Sequence, residues 1–220
     1  YHTDVIKSPV HLSIGQELAP SVLSLFLESS DQVISTHRSH AHYLAKGGNL
    51  AGFFDELLGL PSGCSGGFGG SMHLIDDRVG FMGSTAIVAN TIPIGVGLAQ
   101  ALSLSEENTN VVIIYLGDGA TEEGVFWESL NYSLVRKLPC LFVIENNQYS
   151  VYTDLSTRQS AISLSSKLSG FSPNYWHVEN HDYVHLFSSL TELLPLVRAR
   201  QTVCIEIDTF RYREHCGPNF

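Results

Sequence analysis

Three short runs of apolar, largely β-branched residues constrain the fold of this chain more than any other feature. They extend from Val111 to Leu116, from Leu141 to Ile144 and from Val203 to Ile207. Continuous apolar runs of this length are typical of strands in a parallel sheet, which are buried on both faces. The segment from Glu122 to Arg136 is predicted to be the helix that connects the first two strands. The pattern therefore predicts a β-α-β unit and an α/β fold.

Other elements follow from helical spacing of apolar residues and from glycine and proline positions. Ser13 is expected to cap the first helix. The predicted helices are His11 to Phe26, Phe53 to Leu58 and Thr91 to Leu104, with a short strand at Val33 to Ser35, a loop rich in histidine and glycine at His37 to Gly48, and a glycine-dense loop at Ser62 to Ser71.

Composition excludes several classes of protein. The 220 residues carry a formal net charge of −10 and no cluster of Lys or Arg, which argues against a nucleic-acid surface. No apolar run approaches the roughly 20 residues of a membrane span, and no signal peptide is recognisable. The four cysteines show neither metal-binding nor disulfide spacing. A reducing, cytoplasmic location is the simplest expectation.

Polar residues follow two neighbouring strands of the predicted sheet. Asp118 stands between Gly117 and Gly119 after the first strand, and Asn146 and Asn147 follow the second. Ligands of open parallel sheets bind beyond the carboxyl ends of the strands, so these side chains are expected to converge. Carboxylate and amide oxygens suit Mg²⁺, which often bridges phosphates. The glycines let the backbone approach a phosphate, and free N–H groups near Ala120 would face the same anion.

The Gly-Asp-Gly stretch and the asparagine pair have two other interpretations. Gly-Asp-Gly is also a common β-turn before a helix, with the asparagine pair as a second turn. A dinucleotide-binding loop fails on spacing, because Glu122 and Gln100 stand where the third glycine would be needed.

The whole chain, however, resembles the α subunit of the thiamine diphosphate-dependent E1 component of 2-oxoacid dehydrogenase complexes. The stretch GDGATEEG…NNQY resembles the family's cofactor motif. Further matching stretches occur in family order: HLSIGQE, HRSHAHYLAKGG, GCSGGFGGSMHL, GSTAIVANTIPIGVGLA, EGVFWESLNYSLVRKLPCLFVIENNQY and FRYREH. The resemblance implies a thiamine diphosphate-binding fold with a doubly wound, mostly parallel sheet and helices on both faces. Residues 1–220 would form one domain that grips the diphosphate and lacks the family's C-terminal helices.

The resemblance also implies roles for individual residues. Mg²⁺ would be held by Asp118, Asn147 and the backbone carbonyl of Tyr149. His11 and His215 would stand at the mouth of the active site as catalytic residues, because histidine titrates near neutrality. The remaining cofactor contacts would come from Arg38 (diphosphate), His40 (near the cofactor), Ala86 and Val88 (aminopyrimidine), and Gly117, Gly119 and Ala120 (diphosphate).

In function, the resemblance implies thiamine diphosphate- and Mg²⁺-dependent decarboxylation of a small 2-oxo acid, with transfer to a lipoyl group on an E2 acyltransferase. A β subunit would supply the activating glutamate, which suggests an α₂β₂ assembly. A carboligase or transketolase-like subunit with another acceptor is the alternative. A non-catalytic subunit is disfavoured, since Asp118, Asn147 and Arg38 are all present.

Two departures from the family pattern concern the mouth of the site. The family motif Tyr-Arg-x-His reads His37-Arg38-Ser39-His40 here, and Cys216 replaces a serine that some relatives phosphorylate. The histidines at 37, 40 and 42 form no recognisable zinc motif, because no Cys or carboxylate completes the set.

Overall fold

A six-stranded sheet in which every pairing is parallel forms the centre of the computed structural model, which describes residues 5–219. The strand order is β2-β1-β3-β4-β8-β7, and β5 and β6 form a separate antiparallel pair. The strands are β1 (Gln32–Ile34), β2 (Phe81–Gly83), β3 (Val112–Gly117), β4 (Cys140–Asn146), β5 (Tyr149–Ser150), β6 (Thr153–Asp154), β7 (Asn174–Val178) and β8 (Val203–Asp208).

Helices cover both faces of the sheet, so the predicted α/β class with a doubly wound sheet is confirmed. One core layer contains residues of α1, α2, α3 and α8, and the opposite layer contains residues of α4, α5 and α7. The helices are α1 (Leu18–Leu23), α2 (His40–Ala45), α3 (Leu50–Leu57), α4 (Thr91–Leu102), α5 (Gly124–Arg136), α6 (Leu155–Arg158), α7 (Leu164–Leu168) and α8 (Tyr183–Arg198).

The apolar runs are continuous because alternate side chains of each strand enter opposite layers. In β3, Ile113 and Tyr115 face the α1–α8 layer, whereas Ile114 and Leu116 face the α4–α5 layer. Burial of each such aliphatic side chain contributes roughly 1.5–3 kcal/mol. The predicted strands at 111–116, 141–144 and 203–207 therefore correspond to β3, β4 and β8.

The first predicted helix, His11 to Phe26, is wrong over most of its length. Helix α1 begins at Leu18, and Ser13 does not cap it; Glu17 occupies the N-cap position without a side-chain cap bond. Gly15 breaks the predicted helix because it has φ +93°, and a Cβ there would stand 1.9 Å from the carbonyl oxygen of Phe210. The segment that carries His11 is therefore a loop fixed by long-range contacts.

The predicted loop from His37 to Gly48 is also wrong in part, because α2 lies inside it. The predicted helices at 53–58, 91–104 and 122–136 are confirmed as α3, α4 and α5, with shifted ends. Asn49 starts α3 earlier than expected, since its side chain accepts a hydrogen bond from the amide of Gly52. Helix α5 begins later, after a 3₁₀ turn at Asp118–Glu122.

The glycine-dense loop from Ser62 to Ser71 wraps around one buried carboxylate. The amides of Ser65 and Gly67 donate to Oε2 of Glu56, and those of Gly69 and Gly70 donate to Oε1. Such charge-assisted bonds are stronger than neutral ones. The glycines thus allow the backbone to close around the end of α3.

Cys140 and Cys204 are buried, as expected from their apolar runs, and all four cysteines are free thiols. Within residues 5–219, no helix is both long and apolar enough to cross a bilayer. The cytoplasmic location stays a prediction.

Candidate active site

A cavity opens at the carboxyl ends of β1, β3 and β4. Strand β1 pairs with β2 on one side and with β3 on the other, so the chain changes direction across the sheet between β1 and β3. Ligands of doubly wound proteins bind at such a point. Every site residue predicted from the sequence except His40 lines this cavity, namely His11, Arg38, Ala86, Val88, Gly117, Asp118, Gly119, Ala120, Asn147, Tyr149 and His215.

The three predicted metal ligands reach the cavity from adjacent strand ends. Asp118 follows β3, Asn147 follows β4, and Tyr149 begins the β5–β6 hairpin. Asn147 is oriented by its neighbours, because its Nδ2 donates to Oε1 of Gln16 (2.9 Å) and its Oδ1 accepts from the amide of Tyr149 (2.9 Å). Asn146 instead donates to Glu206 on β8, so the two asparagines have different roles.

The Asp118 carboxylate already has a cationic partner. Nη2 of Arg158, at the end of α6, lies 2.5 Å from Oδ2 of Asp118, and the same guanidinium donates to Glu122. The side chains of Arg158 and Asp118 are only 9% and 6% exposed. Burial raises the pKa of Asp118, and the hydrogen bond and charge of Arg158 oppose that rise. The carboxylate oxygen of Asp118, a hard ligand atom, is therefore already paired with the positive charge of Arg158.

The turn after β3 leaves room for close backbone approach. A Cβ on Gly117 would meet no atom within 4 Å, whereas one on Gly119 would stand 3.1 Å from Oγ of Ser150. The 3₁₀ turn Asp118–Glu122 follows β3 directly, and Gly117, Asp118, Gly119 and Ala120 all line the cavity.

Arg38 connects two loops that carry predicted catalytic residues. Its Nη1 donates to the carbonyl of Leu12 (2.5 Å) and its Nη2 to the carbonyl of His215 (3.0 Å). Burial lowers the pKa of Arg38 to about 10, so it remains a cation at neutral pH. In this structure its guanidinium therefore positions His11 and His215 as well as contributing charge to the cavity.

His11 and His215 meet with their ring centroids 4.7 Å apart, and His37 stacks edge-on to His11 at the same distance. Burial, followed by the charges of neighbouring groups, lowers the pKa of His11 and of His215 to about 4 and that of His37 to about 3. The expectation of near-neutral titration at His11 and His215 is therefore corrected: these imidazoles are neutral at pH 7.

His40 does not line the cavity. It begins α2, and its Nε2 lies 2.8 Å from Oγ of Ser71 in the glycine-dense loop. His42 does not line the cavity either, but it contacts two residues that do, stacking on Tyr115 at 3.8 Å and bonding to Glu145 at 3.1 Å. The histidines at 37, 40 and 42 are thus separated by the fold.

Ala86 and Val88 lie in the segment between β2 and α4. Val88 is 53% exposed and its neighbour Ile87 is 65% exposed, although both line the cavity. This wall is apolar and open, unlike the polar wall at Asp118.

Sequence reasoning missed several cavity residues. Glu145, directly before the asparagine pair, is buried and its Oε1 has no partner among the described residues. Two other missed residues of the cavity could have been recognised from the sequence. Arg211 lies in the matching stretch FRYREH, and His37 stands where the family motif has a tyrosine. Arg158, which contacts Asp118 but does not itself line the cavity, had no such signal, since it lies in a segment without a recognisable motif.

Fold and site together define an α/β protein with a ligand-sized cavity at the carboxyl edge of a parallel sheet, lined by Asp118 and Asn147 on one wall and by Ile87 and Val88 on another. The chain belongs to the dehydrogenase E1 component family, which it matches over residues 1–217.

Three relatives illustrate the likeness. The chain is 35% identical to the pyruvate dehydrogenase E1 component subunit alpha of Rickettsia typhi over 206 residues, which is 93% of this chain and 63% of the relative. It is 35% identical to that of Rhizobium meliloti (93% and 59%) and 34% identical to the mitochondrial subunit alpha-1 of Oryza sativa subsp. japonica (98% and 54%). The chain thus spans somewhat more than half the length of these relatives.

Solved structures of transketolases share the fold. That of Campylobacter jejuni superposes with a TM-score of 0.68 at 16% identity, over 94% of this chain and 35% of the transketolase. The Leishmania mexicana enzyme gives a TM-score of 0.64 at 17% identity, over 94% and 34%. At this identity the likeness concerns the fold alone.

Proposed function

We propose that this chain is the diphosphate-binding part of a thiamine diphosphate- and Mg²⁺-dependent E1 α subunit that decarboxylates a small 2-oxo acid. One observation carries the proposal. The oxygen ligands Asp118, Asn147 and Tyr149 and the glycine turn at 117–119 face one cavity at the switch point of the sheet.

The residues fit the two groups by their chemistry. A carboxylate, an amide oxygen and a backbone carbonyl are hard donors, and Mg²⁺ typically adds phosphate oxygens and water to so few protein ligands. Asp118 already has a cation beside it in Arg158, which indicates where the metal charge would be placed. Gly117 offers the open backbone that a diphosphate needs.

When bound, thiamine diphosphate supplies the electron sink for loss of CO₂. The chain supplies binding and orientation. His11 and His215, neutral at pH 7 and held by Arg38, can donate hydrogen bonds to the carboxylate or carbonyl oxygen of a 2-oxo acid, and can accept a proton at a free ring nitrogen.

A partner subunit is part of the proposal. The wall with Ile87 and Val88 continues onto an apolar face of α4, where Ile94 and Gly97 are exposed. Glu145 is a cavity carboxylate, but it pairs with His42 and stands two residues before the proposed metal ligand Asn147. These features support an E1 β subunit that covers the cavity and brings the activating glutamate, in an α₂β₂ assembly that delivers the acyl group to a lipoyl E2 enzyme.

Metal and cofactor binding are tested with Asp118→Asn. Calorimetry of the purified chain, with thiamine diphosphate and Mg²⁺, should show saturable binding in the natural chain and none in the variant. The matched control, Asp77→Asn, changes an exposed carboxylate at the start of the short 3₁₀ helix Asp77–Val79 and should bind normally. Equal affinity in both variants would remove Asp118 from the site.

The reaction is tested by combining the chain with candidate β subunits and a panel of 2-oxo acids. We expect CO₂ release only when both chains and the cofactor are present. Turnover with lipoamide supports the E1 assignment. Turnover confined to an aldehyde or sugar acceptor would favour a carboligase, and full activity of this chain alone would contradict the two-subunit proposal.

A further inference from the structure

We propose that His11, His37 and His215 form a three-imidazole binding site for a borderline divalent cation such as Zn²⁺, at the mouth of the cavity and separate from the Mg²⁺ position. One nitrogen from each ring can be chosen so that all three lie within 4.8 Å of one another. The ring centroids are 4.7, 4.7 and 5.4 Å apart.

The three rings come from distant parts of the chain and are held by backbone contacts. His37 follows β1, while the loops of His11 and His215 are joined by the two carbonyl bonds of Arg38. The amide of Gly217 also donates to the carbonyl of Val10 at 2.9 Å. With Zn–N bonds of about 2.0–2.1 Å, tetrahedral ligand nitrogens are ~3.4 Å apart. Small side-chain rotations would close the remaining gap.

The ligand atoms are available. His11 is 6% exposed, and its Nδ1 is buried with no hydrogen-bond partner among the described residues. A buried polar atom without a partner is costly, and a metal would relieve that cost.

The chemistry of three neutral imidazoles selects the class of metal. Imidazole suits Zn²⁺, Co²⁺, Ni²⁺ and Cu²⁺, whereas Mg²⁺ prefers oxygen. Three histidines with one open position is the ligand set of catalytic zinc sites. Arg38 and Arg211 place positive charge near His11, which disfavours a bound metal cation. The fourth coordination position of the metal should therefore be filled by an anion from the cavity, because its negative charge offsets this repulsion. A carboxylate, such as that of a 2-oxo acid, is the ligand class that fits.

A second histidine-containing cluster is less suited. His177, Glu206 and Asp208 also lie within 4.8 Å of one another. Glu206 is engaged by Asn146 and by Tyr175 (2.5 Å), and His177 is engaged by Asp208 (2.9 Å). These groups already satisfy each other, which makes His177 a useful control.

The experiment measures Zn²⁺ affinity by competition with a chromophoric chelator, and Co²⁺ binding by visible absorption, on the purified chain without cofactor or substrate. We expect one tight equivalent and the intense bands of four-coordinate Co²⁺. Loss of an outer-shell partner already weakens metal binding about 10–100-fold, so His37→Tyr and His37→Gln, which each remove a direct ligand, should weaken it at least ~100-fold. Circular dichroism checks that the variants fold.

The control variant His177→Gln should bind Zn²⁺ as the natural chain does. The proposal is overturned if neither metal binds tightly, if both His37 variants keep the natural affinity, or if His177→Gln alone abolishes binding. Because the assay requires no thiamine diphosphate and no turnover, these results are independent of the proposed enzymatic function.

Discussion

Replacing Arg158 by glutamine should strengthen binding of a divalent cation at Asp118. In the structure, the Arg158 guanidinium lies 2.5 Å from the carboxylate that is proposed to hold Mg²⁺. Its Nε donates to the carbonyl of Thr153 (3.0 Å), so the side chain is held in this position from both ends. A metal ion must displace this cation before it can use the same oxygen.

The size of the effect follows from the bond that is lost. A hydrogen bond between charged groups contributes about 1.5–3 kcal/mol net, and both groups are nearly buried here. Since about 1.4 kcal/mol corresponds to a factor of ten, removing the competitor should tighten metal binding roughly 10- to 100-fold. Removal also leaves Asp118 without its cation, so its raised pKa would rise further and part of the gain would be lost at low pH.

The assay is Mn²⁺ titration followed by electron paramagnetic resonance, at pH 8 and without thiamine diphosphate. Arg136→Gln, at the exposed end of α5, is the matched control and should leave the affinity unchanged. If a folded Arg158→Gln variant bound Mn²⁺ equally or more weakly than the natural chain, Arg158 would not be a competitor, and it would more reasonably act as a ligand of the diphosphate.

Three further predictions concern stability. Glu56→Gln should destabilise the chain by ~2–4 kcal/mol in urea unfolding, because its amide group cannot accept all four loop amides; a change below 0.5 kcal/mol would mean that the loop does not depend on this carboxylate. Gly95→Ala should lower the free energy of unfolding by about 1–3 kcal/mol, since the new Cβ would lie 2.6 Å from the Ile114 side chain. Gly97→Ala, whose Cβ would meet no atom within 4 Å, should instead raise it by up to ~1 kcal/mol. Equal effects of the two variants would contradict the packing of α4. The melting temperature should fall as pH drops from about 6.5 toward 4, because the unfolded chain binds protons that the folded histidines exclude, and His37→Tyr should flatten that dependence.

The central sheet could be predicted because its signal is local. Strands β3, β4 and β8 are buried on both faces, so their residues are apolar except near the carboxyl ends, where β4 carries Glu145 and Asn146 and β8 carries Glu206 and Asp208. Strands β1 and β2 have only three residues each and therefore give a weak pattern; the strand predicted at Val33 to Ser35 corresponds to β1, whereas β2, at the edge of the sheet, was not predicted. The positions of Asp118 and Asn147 followed from the same logic, since parallel strands end at one edge of the sheet.

The failures arose where long-range contacts decide local structure. Helix α1 was predicted to begin at His11, but Gly15 is held against the backbone of Phe210, almost two hundred residues later in the chain. The partner of the glycine-dense loop, Glu56, could not be recognised either, because its carboxylate is indistinguishable in sequence from any exposed glutamate on α3. The spacing of residues in the sequence predicts neither the contact of Gly15 with Phe210 nor that of Glu56 with the glycine-dense loop.

The lining of the cavity carries negative charge in one region and positive charge in another. Asp118 provides a carboxylate next to Glu122 at the strand edge, whereas Arg38 and Arg211 place positive charge near the three neutral histidines. A simple anion would be repelled in the first region. In the second region the arginines oppose a bare cation, which the three imidazoles would bind only together with an anion. A ligand that joins a metal ion to a multiply charged anion satisfies the first region, and a small carboxylate beside it satisfies the second. The wall at Ile87 and Val88 carries no charge and therefore satisfies neither region.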